Sequence, residues 1–325
     1  MSLRRNILLF HQAALGDFIV TWPLALGLAR AFAQSRLFYI TASQKGALAD
    51  KALGVEWRDV ESGWHQLYSE APQLPEPAAR LLAEARWIIS FVGGRDERWA
   101  HNIATLASAA ELVNLSTTPP DDFGGHITEY LLEQLKPWPV IEAAMGQMLR
   151  SIGARGLGAA PAKGGPVVIH PGAGSPAKCW PVEQFVKLAR QLREAGRTVQ
   201  TIFGETELER WPRKALRAFD EVAQTRRPAT LVELMESLAA AAVVVGNDSG
   251  PGHLAGILGL PTVCLFGPRD STRWKPLGPR VTVLGGPWES ITPKSLCEAL
   301  ARIIQHEGAK TQSNSTADDA DSADK

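Results

Sequence analysis

The chain has 325 residues, 45% of them hydrophobic and 21% charged, which is the balance of a globular protein with a full core and length enough for two domains. Thirty-four Lys and Arg offset 34 Asp and Glu. No global charge therefore recruits nucleic acid, and local charge has to carry any case for an anionic ligand.

From the N-terminus, "MSLRRNILLF" opens like a secretory leader, but its apolar run breaks at "HQ", far short of an h-region. No stretch approaches the ~18 apolar residues of a membrane span. Cys179, Cys264 and Cys297 have no paired spacing and read as reduced thiols. The expectation is a cytoplasmic protein, with peripheral contact at the inner membrane left open. "NILLF" (6–10), "LFYI" (37–40) and "WIISFV" (87–92) read as buried strands, and "FIVTWPLALGLARAFAQ" and "DERWAHNIATLASAA" as helices between them. Residues 1–150 form a first domain in this reading. A Gly-, Ala- and Pro-rich stretch, "SIGARGLGAAPAKGGP" (151–166), then supplies a linker taken as 151–165.

A second alternating series follows over 166–306: "VVIH" (167–170), "TVQTIF" (198–203), "AVVVG" (242–246) and "TVCLFG" (262–267), with helices such as "VEQFVKLARQLREAG" between. Strand and helix in alternation imply parallel sheets covered on both faces. Two such series predict two doubly wound, Rossmann-like α/β domains facing across a cleft, with ligands beyond the carboxyl ends of the strands. The last segment, 307–325, is almost devoid of apolar residues and reads as a disordered tail.

Three polar loops fall at predicted strand ends. In "HQAALGDFIVTWP" (11–23), Gly16 permits a tight turn. Asp17 is either the cap of the next helix or a carboxylate placed to take a proton from a substrate hydroxyl. In "HPGAGSPAKCWP" (170–181), Gly172, Ala173, Gly174 and Ser175 let the backbone approach a ligand. Lys178 follows beside a helix start, with Pro181 in its first turn, an arrangement suited to phosphate. Neither Gly-Lys-[Ser/Thr] nor Gly-x-Gly-x-x-Gly is present, so a P-loop or a nicotinamide site has no support. In "VVVGNDSGPGHLAG" (243–256), Gly246 ends a strand, Asn247–Gly250 form a turn and Pro251 starts a helix whose N-terminus favours an anion. Asp248 beside it would repel phosphate, but it suits sugar hydroxyls while Ser249 and Gly250 donate to phosphate. His253 is either a core histidine or a ligand contact. His11, His65, His101, His126, His170, His253 and His306 form no His-x-x-x-His pair, and there is no Cys-x-x-Cys, so no metal is expected. A Gly-x-Ser-x-Gly elbow is also missing.

"ALGDFIVTWPLALGLAR", "HPGAGSPAKCWPVEQFVKLARQL" and "VVVGNDSGPGHLAGILGLPTVCLFGP" together resemble glycosyltransferase family 9, the heptosyltransferase-like enzymes of lipopolysaccharide assembly, most strongly over 166–285. The resemblance implies the two-domain GT-B fold and an inverting, metal-independent transfer from a nucleotide diphosphate sugar, ADP-heptose being the family's example, to a glycan or glycolipid acceptor. No cofactor is implied beyond that substrate. Asp17 would be the general base. Lys178 would hold the donor diphosphate, with Gly172, Gly174 and Ser175 in its loop. Asp248, Ser249, Gly250 and His253 would hold the donor sugar and phosphate, and Glu207 in "FGETELE" (203–209) the ribose. Between "ISFVGGRDERWAHN" and "FGGHITEYLL" the chain departs from the family by lacking a basic, acceptor-facing stretch; Arg95 and Arg98 either replace it or form a solvated turn. A GT-B nucleotide-sugar epimerase or hydrolase and a non-catalytic nucleotide-sugar or glycan-binding protein are the alternative readings.

Overall fold

The computed structural model describes residues 6–92 and 97–306. The opening stretch 1–5, Arg95 and the tail expected at 307–325 lie outside the described residues. The chain divides into two compact units, one reaching Ile152 and including Thr230–Val232, the other formed by Gly153–Ala229 and Glu233 onward.

The first unit is built on a five-stranded sheet: β1 (Asn6–Phe10), β2 (Arg36–Thr41), β3 (Glu56–Asp59), β4 (Ala85–Ser90) and β5 (Glu111–Asn114), in the order β3-β2-β1-β4-β5. Every pairing is parallel. All of β1 is buried, because a central strand is covered on both faces. Leu8 and Phe10 point one way, into a cluster with Phe38, Ile40, Ile88, Trp64 and Trp99. Ile7 and Leu9 alternate to the opposite face.

The predicted helix after β1 is two helices, Leu15–Val20 and Trp22–Ala31. Gly27 lies where a Cβ would come within 2.8 Å of the Ala144 carbonyl carbon, so glycine allows the helix Pro139–Arg155 to lie directly on its neighbour. That long helix runs through residues 151–155, which sequence reasoning placed in the linker; the apolar spacing of Ile141, Met145, Met148 and Ile152 continues the helix, and all four side chains are buried.

The second unit holds β6 (Val167–His170), β7 (Val199–Ile202), β8 (Gln224–Arg226), β9 (Val243–Asn247), β10 (Thr262–Gly267) and β11 (Val281–Gly285) in the order β11-β10-β9-β6-β7-β8, again all parallel. Val167, Ile169, Val243, Val245, Val263 and Leu265 meet Phe185, Leu188 and Leu296 from the covering helices in one core. Both windings follow one rule. The first strand of each unit sits inside the sheet, the next two extend to one side, and the fourth returns to its other side. A crevice opens at such a reversal, between β1 and β4 in one unit and between β6 and β9 in the other. No helix among the described residues is long and apolar enough to cross a membrane.

Candidate functional site

In the second unit the polar loops after β6 and β9 emerge side by side at the reversal. Gly246 is required there, since a Cβ would stand 2.5 Å from the His170 carbonyl oxygen of the neighbouring strand. The strand runs one residue further than predicted, to Asn247. Asp248 follows, and Ser249 occupies the N-cap of the helix Gly250–Leu258, with Pro251 in its first turn. The Ser249 hydroxyl does not cap the helix. Its Oγ is buried with no hydrogen-bond partner among the described residues. The first N–H groups of a helix are free of intrahelical partners, so this end presents a partial positive charge and open donors.

After β6 the chain passes Gly172, buried, and Gly174, exposed, into a single 3-10 turn, Pro176–Lys178. Pro181 is the N-cap of the helix Val182–Glu194, one position earlier than expected, because its extended backbone angle suits the cap. The turn brings Lys178 Nζ to 2.7 Å from Asp248 Oδ2. His253, one turn into its helix, places Nε2 3.8 Å from Asp248 Oδ1. The Asp248 side chain is 5% exposed and that of Lys178 29%. Burial by itself pushes the Asp248 carboxyl up, but hydrogen bonding and charge from His253 and Lys178 outweigh it and hold the group below its ordinary range. Sequence reasoning gave Lys178 and Asp248 separate ligand contacts; the structure bonds them to each other. The Asp248 charge is thus matched within the protein by the Lys178 ammonium.

Glu207 stands beside this group. It is buried in the helix Glu205–Arg210, where its Oε2 accepts from the Gly204 N–H at 2.7 Å and caps the helix from within. Its other oxygen lies over Gly172, where a Cβ would come within 1.8 Å of it. His170 Nδ1 donates to the Ile202 carbonyl at 3.1 Å, which ties the ends of β6 and β7. Burial lowers the His170 pKa against the opposing pull of the Glu207 carboxylate. Gly172, Gly174, Ser175, Lys178, Glu207, Asp248, Ser249, Gly250 and His253 thus all belong to the second unit, on the loops and first helical turns that follow β6, β7 and β9.

Asp17 belongs to the first unit. Ala14, not Asp17, occupies the N-cap of the helix Leu15–Val20, and Asp17 lies half-buried in its first turn. Asp17 is therefore not the N-cap of this helix. Gly16 is helical and not a turn of unusual angle, since the loop reverses before it, at 12–14. Lys45 reaches this loop and donates to the carbonyls of Gln12 at 3.2 Å and Ala13 at 2.6 Å. Burial lowers the Lys45 pKa while Asp17 pulls it back up. His11 is fully buried between Phe18 and Phe91. Burial first, and Lys45 second, hold its pKa down at about 3. Arg98 is exposed and 3.8 Å from the exposed carboxylate of Glu70, in keeping with a solvated charged turn.

Lys45, His11 and Asn247 were not singled out from sequence. Lys45 is a lone lysine whose role depends on packing against a loop more than thirty residues away in the chain, and no local signal marks it. Asn247 carried a signal, a polar residue at the end of an apolar run.

The family model "Glycosyltransferase family 9 (heptosyltransferase)" matches residues 132–300. Among curated proteins, Lipopolysaccharide heptosyltransferase 3 of Escherichia coli (strain K12) is 29% identical over 173 residues, 47% of this chain and 47% of that one. Lipopolysaccharide heptosyltransferase 2 of the same organism is 32% identical over 114 residues, 34% of this chain and 32% of that protein. The matched part thus spans about half the length, or less, of these curated relatives. Among solved structures, a family 9 glycosyl transferase from Veillonella parvula DSM 2008 superposes with a TM-score of 0.68 at 18% identity, covering 94% of this chain and 99% of the other. The E. coli ADP-heptose LPS heptosyltransferase II gives 0.67 at 19% identity, covering 93% and 99%. At such identities the likeness speaks to fold, and the fold is that of the GT-B class.

Proposed function

The chain belongs to glycosyltransferase family 9, and from that premise we propose that it transfers a sugar, with inversion, from a nucleotide diphosphate donor to a hydroxyl of a glycan or lipopolysaccharide-type acceptor. The observation that carries the reading is the Lys178–Asp248–His253 group set at the N-terminus of the helix Gly250–Leu258. A cation, a run of open N–H donors and an unpartnered Ser249 hydroxyl are the equipment for a diphosphate. A buried acid whose charge is already matched suits sugar hydroxyls.

In this reading Asp17 accepts the proton of the acceptor hydroxyl as its oxygen attacks the anomeric carbon. The bond to the diphosphate oxygen breaks on the opposite face, and the electron pair leaves with the nucleotide. Lys178 and the helix N-terminus bear the negative charge that grows on that leaving group, so the transfer proceeds without a metal. Glu207, buried against Gly172, takes the donor ribose hydroxyls with the oxygen that does not cap its own helix. ADP-heptose is the proposed donor, in line with the substrate named for the E. coli relative of the same fold.

The test is thermal unfolding against ADP, UDP, GDP and CDP, with Lys178→Ala as control. A nucleotide at ~100 times its dissociation constant stabilises by about 2.7 kcal/mol, a shift of roughly 5–11 °C for a unit of this size. The expected result is a selective shift with ADP that Lys178→Ala loses. A shift with another nucleotide would retain the transferase and discard heptose. The absence of any shift would overturn the donor site.

A further inference from the structure

We propose that Asn247 is the positioning residue of the second unit's site: its side-chain amide closes the Lys178 loop into a ring and so sets Lys178 against Asp248. Asn247 is fully buried at the end of β9. Its Oδ1 accepts from the Trp180 N–H at 2.9 Å, and its Nδ2 donates to the Pro171 carbonyl at 2.7 Å. Pro171 and Trp180 are the two ends of the segment that carries Gly172, Gly174, Ser175 and Lys178. One amide therefore pins both ends of that segment, and the next residue in the chain, Asp248, receives the Lys178 ammonium.

The anchor is itself held. The Trp180 ring packs edge-on against Phe185 at 4.9 Å and donates through Nε1 to the Ile291 carbonyl at 3.1 Å. The Asp248 N–H donates to Leu265 on the adjacent strand. Only a primary amide of this length supplies a donor and an acceptor in this geometry. Aspartate keeps the acceptor for Trp180 but sets a carboxylate against the Pro171 carbonyl, and alanine deletes both bonds.

The inference deepens the nucleotide-sugar reading and rests on it only for the ligand measurement. Cys179 lies inside the pinned segment, half-buried, with its thiol 3.5 Å from the Ser175 carbonyl. Cys297 is also half-buried and lies outside the pinned segment, against the core cluster in which Trp180 sits, so it reports loosening of that core and serves as internal control. Alkylation by iodoacetamide at about pH 8, where thiolate is available, is followed at each cysteine by peptide mass spectrometry for wild type, Asn247→Asp and Asn247→Ala. The expected result is alkylation of Cys179 about tenfold faster in both variants, from the loss of buried hydrogen bonds, with Cys297 unchanged and the ADP dissociation constant weakened by a similar factor.

Folded variants that alkylate Cys179 at the wild-type rate would overturn the proposal. A general loosening of the fold would accelerate Cys297 as well, and would also overturn it. Should wild type bind no ADP, the donor reading fails while the alkylation still decides this one. Should neither variant fold, amide exchange of wild type decides: the Trp180 N–H must be among the slowly exchanging amides, and rapid exchange there sinks the idea.

Discussion

Replacing Lys178 with methionine removes the cation and keeps most of the aliphatic stem. At 2.7 Å the attraction is roughly 6 kcal/mol for an effective dielectric constant of 20. Desolvation of the buried Asp248 carboxylate, several kcal/mol, offsets most of that. What matters on truncation is the carboxylate left behind, with the His253 ring at 3.8 Å as its remaining side-chain neighbour. Breaking a buried pair costs about 3–5 kcal/mol; the partial exposure of Lys178 puts the expectation at or below the bottom of that range, about 2–3 kcal/mol after screening. Asp248→Asn alone should cost about 1 kcal/mol, since the freed ammonium turns to water. The double variant should lie close to Asp248→Asn, giving a coupling of about 2–3 kcal/mol.

Urea or thermal unfolding of the four proteins completes the cycle, with Lys178→Met melting roughly 5–10 °C below wild type. The pH dependence supplies a second reading. The Asp248 pKa is depressed in the folded protein, so its stabilisation is present above the ordinary carboxylate range and is lost as pH falls through the folded value. In Lys178→Met that loss begins at higher pH. Additivity of the two substitutions to within about 0.5 kcal/mol would refute the reasoning.

Three further outcomes are expected. The His11 pKa is lowered to about 3, so below about pH 6.5 the unfolded chain gains a proton that the folded one refuses; stability should fall by about 2 kcal/mol between pH 7 and 5, and His11→Leu should flatten that slope in matched melts. Gly172→Ala drives a methyl into Glu207 and should cost about 1–3 kcal/mol; Glu207→Ala in the same chain should recover part of it, and no recovery would dissociate the two residues. Asp17→Asn should lower transfer by about 10²–10⁴ while leaving ADP affinity unchanged in calorimetry, because the proposed base acts on the acceptor hydroxyl and not on the nucleotide.

The sequence was most legible where physics is local. Buried central strands such as β1 and β9 announce themselves as apolar runs, and both lie within a residue of expectation. The edge strands β3, β5, β8 and β11, reading EWRD, ELVN, QTR and VTVLG, were not predicted; an edge is covered on fewer sides, so the first three lack a long apolar run, while the alternating VTVLG carried a signal that was passed over. The loops of the second unit were found because Gly, Ser and Asp crowded at strand ends have few other uses. Their internal wiring was not, since a Lys178–Asp248 bond spans seventy residues of chain and depends on strand order. The sequence left Asp17 open between N-cap and base, and only the backbone angles around Ala14 show that the N-cap is another residue.

The shared winding has a consequence for handling the protein. The candidate site residues of the second unit lie on segments that leave the carboxyl ends of β6, β7 and β9, so the turns entering β2 and β7 carry none of them. Residues 195–198, which lead into β7 through Gly196 at a φ of +75°, are largely exposed, as are Gln34 and Ala33 ahead of β2. Such positions suit insertion of tags, fluorophores or surface tethers. A protein held by Gly196 would leave the loops after β6 and β9 at the far end of their sheet, turned toward whatever is presented to it.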